Sequence, residues 1–310
     1  MARVVRLGTR ASALALAQAR FVAGRLERTG CTVEIVSMQT EGDRRADARL
    51  TDAGGKGLFV REIEEALLAG DIDLAVHSLK DVPAALPDGL ALAAFPERED
   101  ARDVLVTRLP GRFADLPPRA VVGTSSPRRR AIALSLRPDL DVQPLRGNVD
   151  TRMRKLQEGA ADAIVLAAAG LLRLGITAAY VDALDPEVFV PAVGQGILAL
   201  EARSDDVGTT ALLQTVDHGA TRACALAERA FLGRLGASCL TPMAAHARVH
   251  GDGLRVNALV ASEDGRHVLR EQAHGGRADA VALGLALADR LLARGAADIT
   301  ALHPTGRGAA

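Results

Sequence analysis

Two stretches of this chain echo each other and narrow what it can fold into. GDIDLAV at 70–76 and GAADAIV at 159–165 share their glycine, their fourth-position aspartate and their final valine. Each closes the same local order. RVVRLGT reads as a strand, 11–28 as a helix, TVEIVSM as a strand, 57–69 as a helix and IDLAVHS as a strand. In the second copy AVVGT, LDVQPL and DAIVLAA read as strands, with helices over 127–137 and 149–158. Strands alternating with helices of this length are βαβ units. Two such units predict two related α/β domains with a ligand cleft between them.

The remainder changes character. PAVGQGILALEAR at 191–203 reads as a return strand behind a glycine-rich turn. A helix over 219–235 follows. AAHARVH, LRVNALVAS and HVLREQAH read as strands joined by GDG and EDGR turns, and a helix over 277–294 closes a small α+β module. Aromatic residues make up only 2%, so the cores must be built from Ala, Leu and Val. Lys plus Arg equals Asp plus Glu, at 38 each. A net charge of zero gives no general attraction to nucleic acid or membrane, so any anion site must come from local clustering.

The N-terminal run ASALALAQA, after Arg3, Arg6 and Arg10, has the look of a signal peptide. It is short, interrupted by Ser12 and Gln18, and continues past Phe21 as an amphipathic pattern, so it reads as the first helix. No run approaches the roughly 18 apolar residues of a membrane span.

Positive charge gathers at three helix starts. In GTSSPRRR, Ser126 stands at an N-cap and Pro127 at the first helical position. Arg128, Arg129 and Arg130 then oppose the helix dipole at about 0.3–1 kcal/mol each, a penalty that a bound anion removes. Arg146 precedes an N-cap at Asn148 with Arg152 in the following turn, and Arg10 begins the first helix. A guanidinium fork suits carboxylate and phosphate alike. If these cations face a ligand, replacing Arg128 or Arg129 leaves stability similar or slightly higher, and Arg130 faces solvent. VHSLKDVP puts His77, Ser78, Lys80 and Asp81 at a strand end, where α/β proteins hold ligands. GGKGLF at 54–59 lacks the full phosphate-loop pattern and reads as a loop with one anchored lysine. His246 and His250 would stand roughly 13 Å apart on a strand, too far to share a metal.

Three cysteines at 31, 224 and 239 form no metal or disulfide spacing, which fits a reducing cytosol. Cys31 alternates with Val33 and Ile35, and Cys224 shares a helix face with Ala220, Ala227 and Phe231, so both read as buried. Cys239, in LGASCLTPM, has no such setting and reads as an accessible thiol.

Together TRASALALAQA, GGKGLF, HSLKDVP, EREDARD, GTSSPRRR, LRGNVDTR, LAAAGLLRLG, PAVGQG and the Cys239 loop resemble, in order, the hydroxymethylbilane synthase (porphobilinogen deaminase) family. The resemblance implies two periplasmic-binding-protein-like α/β domains, 1–98 plus 196–217 and 99–195, and a C-terminal α+β domain, 218–310. It implies a transferase of tetrapyrrole synthesis that condenses four porphobilinogen molecules, with loss of ammonia, into linear hydroxymethylbilane. A dipyrromethane cofactor would be attached through Cys239, and Asp81 would be the catalytic carboxylate. Arg10, Arg128, Arg129, Arg146, Arg152 and Arg173 would bind carboxylates. Ser12, Lys56, Ser78, Lys80 and Ser126 would make polar contacts, Phe59 would meet a pyrrole, and Thr124, Ser125, Gly147 and Gln195 would complete the site. The implied enzyme is a cytoplasmic monomer without metal, nucleic acid or membrane. Ala237 and Ser238 depart from the pair of glycines usual before the cysteine. The rival readings are a non-catalytic carboxylate-binding module and a thiol hydrolase pairing Cys239 with His77 or His246.

Overall fold

The computed structural model describes residues 3–40, 60–237 and 241–300. The first lobe carries β1 (Val4–Arg10), α1 (Ala13–Glu27), β2 (Thr32–Met38), α2 (Arg61–Ala69), β3 (Leu74–Ser78) and β4 (Leu90–Ala94). The second carries β5 (Asp103–Thr107), β6 (Val121–Gly123), α3 (Pro127–Leu136), β7 (Asp141–Gln143), α4 (Val149–Gln157), β8 (Ala163–Ala167), α5 (Ala168–Leu174) and β9 (Tyr180–Ala183). The chain then returns through β10 (Leu198–Arg203) and α6 (Val207–Gln214). The third module holds α7 (Gly219–Leu235), β11 (Met243–His250), β12 (Gly253–Ala261), β13 (Val268–Gly276) and α8 (Ala280–Ala293). Strands β4, β5 and β9 and helices α5 and α6 add to the elements expected from the sequence.

The two large sheets share one plan. The first runs β2-β1-β3-β10-β4, with β1 parallel to β2 and β3 and β10 antiparallel to both its neighbours. The second runs β7-β6-β8-β5-β9, with β5 as the antiparallel fourth strand. The third sheet is the antiparallel set β11-β12-β13. This is the mixed α/β architecture the alternation predicted.

The echoed aspartate has a physical reason. Asp73 accepts a hydrogen bond from the backbone N–H of Arg6 at 2.8 Å, and Asp162 accepts one from the backbone N–H of Val121 at 2.8 Å. Asp73 stands just before β3 and fixes it against β1, and Asp162 stands just before β8 and fixes it against β6. The following pairs, Leu7 with Leu74 and Val122 with Ala163, begin the parallel register.

Strand alternation sorts the cores. In β3, Leu74 and Val76 pack with α1 through Val22 and Leu26, while Ala75 packs with Ile63 and Leu67 of α2. In β12, Val256 and Ala258 meet Phe231 of α7 and Leu287 of α8, while Leu259 and Ala261 join the second lobe around Ile132. The third module therefore packs against the second lobe with one face of its sheet. It also joins Leu79, Phe95 and Ile197 of the first lobe and the crossovers through α7. No described helix is long and apolar enough to cross a membrane.

Candidate functional site

The parallel strands of the first lobe end at a pocket. Arg10 and Ser12 line it from the turn between β1 and α1, and Ser78, Lys80 and Asp81 line it from the end of β3. Ser12 caps α1, accepting from the N–H of Ala15 at 3.3 Å. The buried Gln18 donates to Ser78 Oγ at 2.9 Å and holds that hydroxyl at the pocket wall. After Ser78 the chain makes a single 3-10 turn, Leu79–Asp81, anchored by the buried Leu79. Asp81 is left exposed at the mouth. Burial pulls the Lys80 ammonium down to about 8, with Asp81 opposing it.

The arginines come mainly from the second lobe. Ser126 caps α3 through the N–H of Arg129 at 3.4 Å, with Pro127 in the first turn, as the sequence predicted. Arg130 is exposed, also as predicted. Arg128 and Arg129 differ from expectation, being 4% and 6% exposed. The anion relieving their helix start is partly the protein's own. Arg128 Nη1 lies 2.7 Å from Asp103 Oδ2, and Arg129 Nη2 lies 2.8 Å from Oδ1. Burial alone would raise Asp103, but the two guanidiniums hold it below the usual carboxylate range. The expectation that their loss spares stability is therefore corrected, because either loss breaks a buried charge cluster.

Thr124 and Ser125 precede this helix. Thr124 is buried, and Ser125 Oγ is a buried hydroxyl without a hydrogen-bond partner among the described residues. Gly147 has φ +112°, and a Cβ there would meet Thr151 at 2.7 Å, so the turn carrying Arg146 requires glycine. Arg152 donates to Gly147 O at 2.8 Å. Burial lowers Arg152 to about 10, with Arg129 and Arg146 lowering it further. Arg173 is likewise lowered by burial to about 10 and donates to Gly196 O at 2.8 Å. Gln195 is 1% exposed, and its amide nitrogen donates to Ala101 O and Asp103 rather than into the cleft. Lys56, Phe59 and Cys239 lie outside the described residues.

These charges form one field. Lys80 feels Asp81, Arg129, Asp103 and Arg128, and Arg152 feels Arg129 and Arg146. Cations withheld from water and crowded together suit a ligand carrying several carboxylates, with Ser125 as one further polar partner. Among the described residues no group of His, Cys, Asp and Glu could hold a metal ion.

Three groups escaped sequence reasoning. Asp103 is one. Glu228 is another: fully buried on α7, it accepts from Arg98 Nη1 at 2.7 Å, from the N–H of Gly194 at 2.6 Å and from that of Ala247 at 2.8 Å. The third is Glu201, fully buried, whose carboxylate meets His77 Nε2 at 2.9 Å, beside Glu64. No local spacing signals any of them, since each partner lies far along the chain. Of the hydrolase candidates, His77 is committed to Glu201. Burial pulls the other, His246, down to about 3, so it stays neutral at physiological pH.

Known proteins extend this picture. Residues 5–211 match the family model "Porphobilinogen deaminase, dipyromethane cofactor binding domain", and residues 222–293 match "Porphobilinogen deaminase, C-terminal domain". The porphobilinogen deaminase of Trichlorobacter lovleyi is 50% identical over 293 residues, covering 94% of each chain. That of a Roseiflexus species is 50% identical over 297 residues, covering 95% of this chain and 98% of the relative. Among solved structures, the periplasmic aliphatic sulphonate binding protein SsuA of Escherichia coli aligns at 18% identity and TM-score 0.42, covering 75% of this chain and 70% of that one.

Proposed function

The chain belongs to the porphobilinogen deaminase family, and from that premise we propose how its own residues carry the activity. The reaction condenses four porphobilinogen molecules, with loss of ammonia, into linear hydroxymethylbilane on a dipyrromethane primer held through Cys239. The observation that carries this reading is the field of desolvated cations, Lys80, Arg128, Arg129 and Arg152, with the exposed carboxylate of the strand-end turn, Asp81, beside Lys80. Each porphobilinogen brings an acetate and a propionate, so a lengthening product loads the cleft with negative charge that such a field offsets.

Bound dipyrromethane would supply the pyrrole carbon to which the first unit joins. The chain supplies the rest. Arg10, Arg128, Arg129, Arg146, Arg152 and Arg173 bind and orient carboxylates, with Ser12, Ser78, Thr124, Ser125, Ser126 and the Gly147 turn as polar partners. Lys56 and Phe59 serve the same cleft. Asp81 stands where a substrate's positive charge develops as its amine departs, and a fixed carboxylate stabilises that charge and handles the proton. The Ser78 hydroxyl and the anchored Leu79 keep the turn in place. Working boundaries are 1–98 plus 196–217, 99–195 and 218–310, and the enzyme works as a cytoplasmic monomer on a small-molecule substrate.

Intact-mass measurement of the purified chain, with colour development in acidic aldehyde reagent, tests the assignment. The expected protein carries two added pyrrole units that vanish in Cys239→Ala, and it releases ammonia from porphobilinogen. An unmodified chain without ammonia release would sink the reading in favour of a carboxylate-binding module.

A further inference from the structure

Two crossovers between the lobes, 95–102 and 184–197, touch beside the site. The turn at 194–196 fits only because it is glycine-flanked. Gly194 has φ +72°, and a Cβ there would lie 2.7 Å from Leu79. Gly196 has φ +84°, and its Cβ would lie 2.4 Å from Glu99 O. Leu79, which begins the turn bearing Lys80 and Asp81, donates its N–H to Ile197 O at 2.9 Å. On the other side, Gln195 Nε2 donates to Asp103 Oδ1 at 2.9 Å. The fully buried Asp103 also receives Arg128 and Arg129. One packed path therefore runs from Asp81 through Leu79, Gln195 and Asp103 to the arginine pair.

We propose that Asp103 and Gln195 are positioning residues for the reaction: Asp103 fixes where the Arg128–Arg129 pair stands and how much of its charge reaches the cleft, and Gln195 ties that carboxylate to the crossover packed under Asp81. This rests on the function proposed above. Two guanidiniums on one carboxylate leave a single positive charge in excess. A second acid would cancel it, and a neutral residue at 103 would double it. Lys80 reports the balance, because it faces Asp81 on its own turn, Arg128 and Arg129 on α3, Asp103 on β5 and Arg10 at the end of β1. Removing the negative charge at 103 takes away an influence that raises Lys80, so its midpoint must fall from about 8.

The chain has only three lysines, Lys56, Lys80 and Lys155. A ¹³Cε-lysine NMR titration therefore isolates Lys80, assigned by Lys80→Gln. Full-length Cys239→Ala is compared with Cys239→Ala/Asp103→Asn, so that no primer occupies either. The expected result is a Lys80 midpoint lower by about one unit, a tenfold loss of proton affinity. In primer-loaded enzyme, Asp103→Glu and Gln195→Leu keep the charge balance but shift the pair. Each should raise KM for porphobilinogen about tenfold with a smaller change in kcat. A folded Asp103→Asn chain with an unmoved Lys80 midpoint overturns the proposal. So do Asp103→Glu and Gln195→Leu enzymes with wild-type KM, and these decide the matter if Asp103→Asn does not fold. A wild-type chain that lacks adduct and activity would instead overturn the proposed function, so the two failures are distinguishable.

Discussion

Replacing Glu228 with glutamine removes one oxygen's worth of acceptor and one charge from a point where all three parts of the molecule meet. Oε1 accepts from Arg98 Nη1 and the N–H of Ala247, and Oε2 accepts from the N–H of Gly194 and from Arg98 Nη2. An amide has one acceptor oxygen. Whichever way it turns, its NH₂ faces a backbone donor and leaves that donor buried and unsatisfied, at about 1–3 kcal/mol. Arg98, with its side chain 12% exposed, loses its counter-charge as well. Breaking a buried pair this way costs about 3–5 kcal/mol in all, a large part of a typical stability of about 5–15 kcal/mol. At about 2–4 °C per kcal/mol, thermal unfolding followed by circular dichroism should fall by about 6–20 °C. The double variant Arg98→Leu/Glu228→Leu, which removes both charges, should lose less than the sum of the two single leucine variants. Glu228→Gln melting within about 2 °C of wild type would refute the reasoning.

Three further outcomes follow from the site. Asp81→Asn should hold its primer yet release ammonia at least about 10²–10⁴-fold more slowly in single turnover, with Asp81→Glu intermediate; an undiminished Asn rate removes Asp81 from the chemistry. Arg129→Leu should be destabilised by about 3–5 kcal/mol in urea unfolding, because Asp103 keeps only part of its counter-charge, whereas Arg130→Leu should be mild; the reverse order would contradict the buried cluster. Burial, reinforced by Glu201, raises Glu64 to about 7, so its contribution to stability is present below its ordinary value near 4.5 and lost as pH rises through about 7. Wild type should therefore lose about 1 kcal/mol between pH 6 and pH 8 that Glu64→Gln does not lose; parallel urea curves for the two would count against it.

Much of the scaffold was legible because it is local. The Ser126–Pro127 start of α3, the strand-end placement of Ser78, Lys80 and Asp81, and the burial of Cys224 each follow from a few neighbouring residues. The shared aspartate of the two echoed stretches was visible as a pattern, but its hydrogen bond to the neighbouring strand was not. What stayed hidden were partners brought together by topology. Arg128 and Arg129 looked like cations waiting for a ligand, because Asp103 reaches them only once β5 is inserted beside β8. His77 and Glu201 are 124 positions apart and meet only because β10 pairs with β3. Gln195 matched a ligand-binding position by motif, while its amide nitrogen turns inward to Asp103.

The insertion of β10 between β3 and β4 bears on how the chain is made. Every strand of the second sheet lies within residues 103–183, so that sheet is complete as soon as those residues have emerged. The first sheet must wait for residues 198–203. From the appearance of β4 to that of β10, a ribosome working at about 5–20 residues per second takes roughly 5–20 s. Through that interval β3 presents an open edge, and β4 lacks the strand it pairs with, a template for pairing with a neighbouring nascent chain. The amino-terminal lobe is thus the later of the two to close. Translation pausing after residue 94, or a truncation before residue 198, should leave aggregation-prone material, whereas the 103–183 segment has its pairing partners to hand.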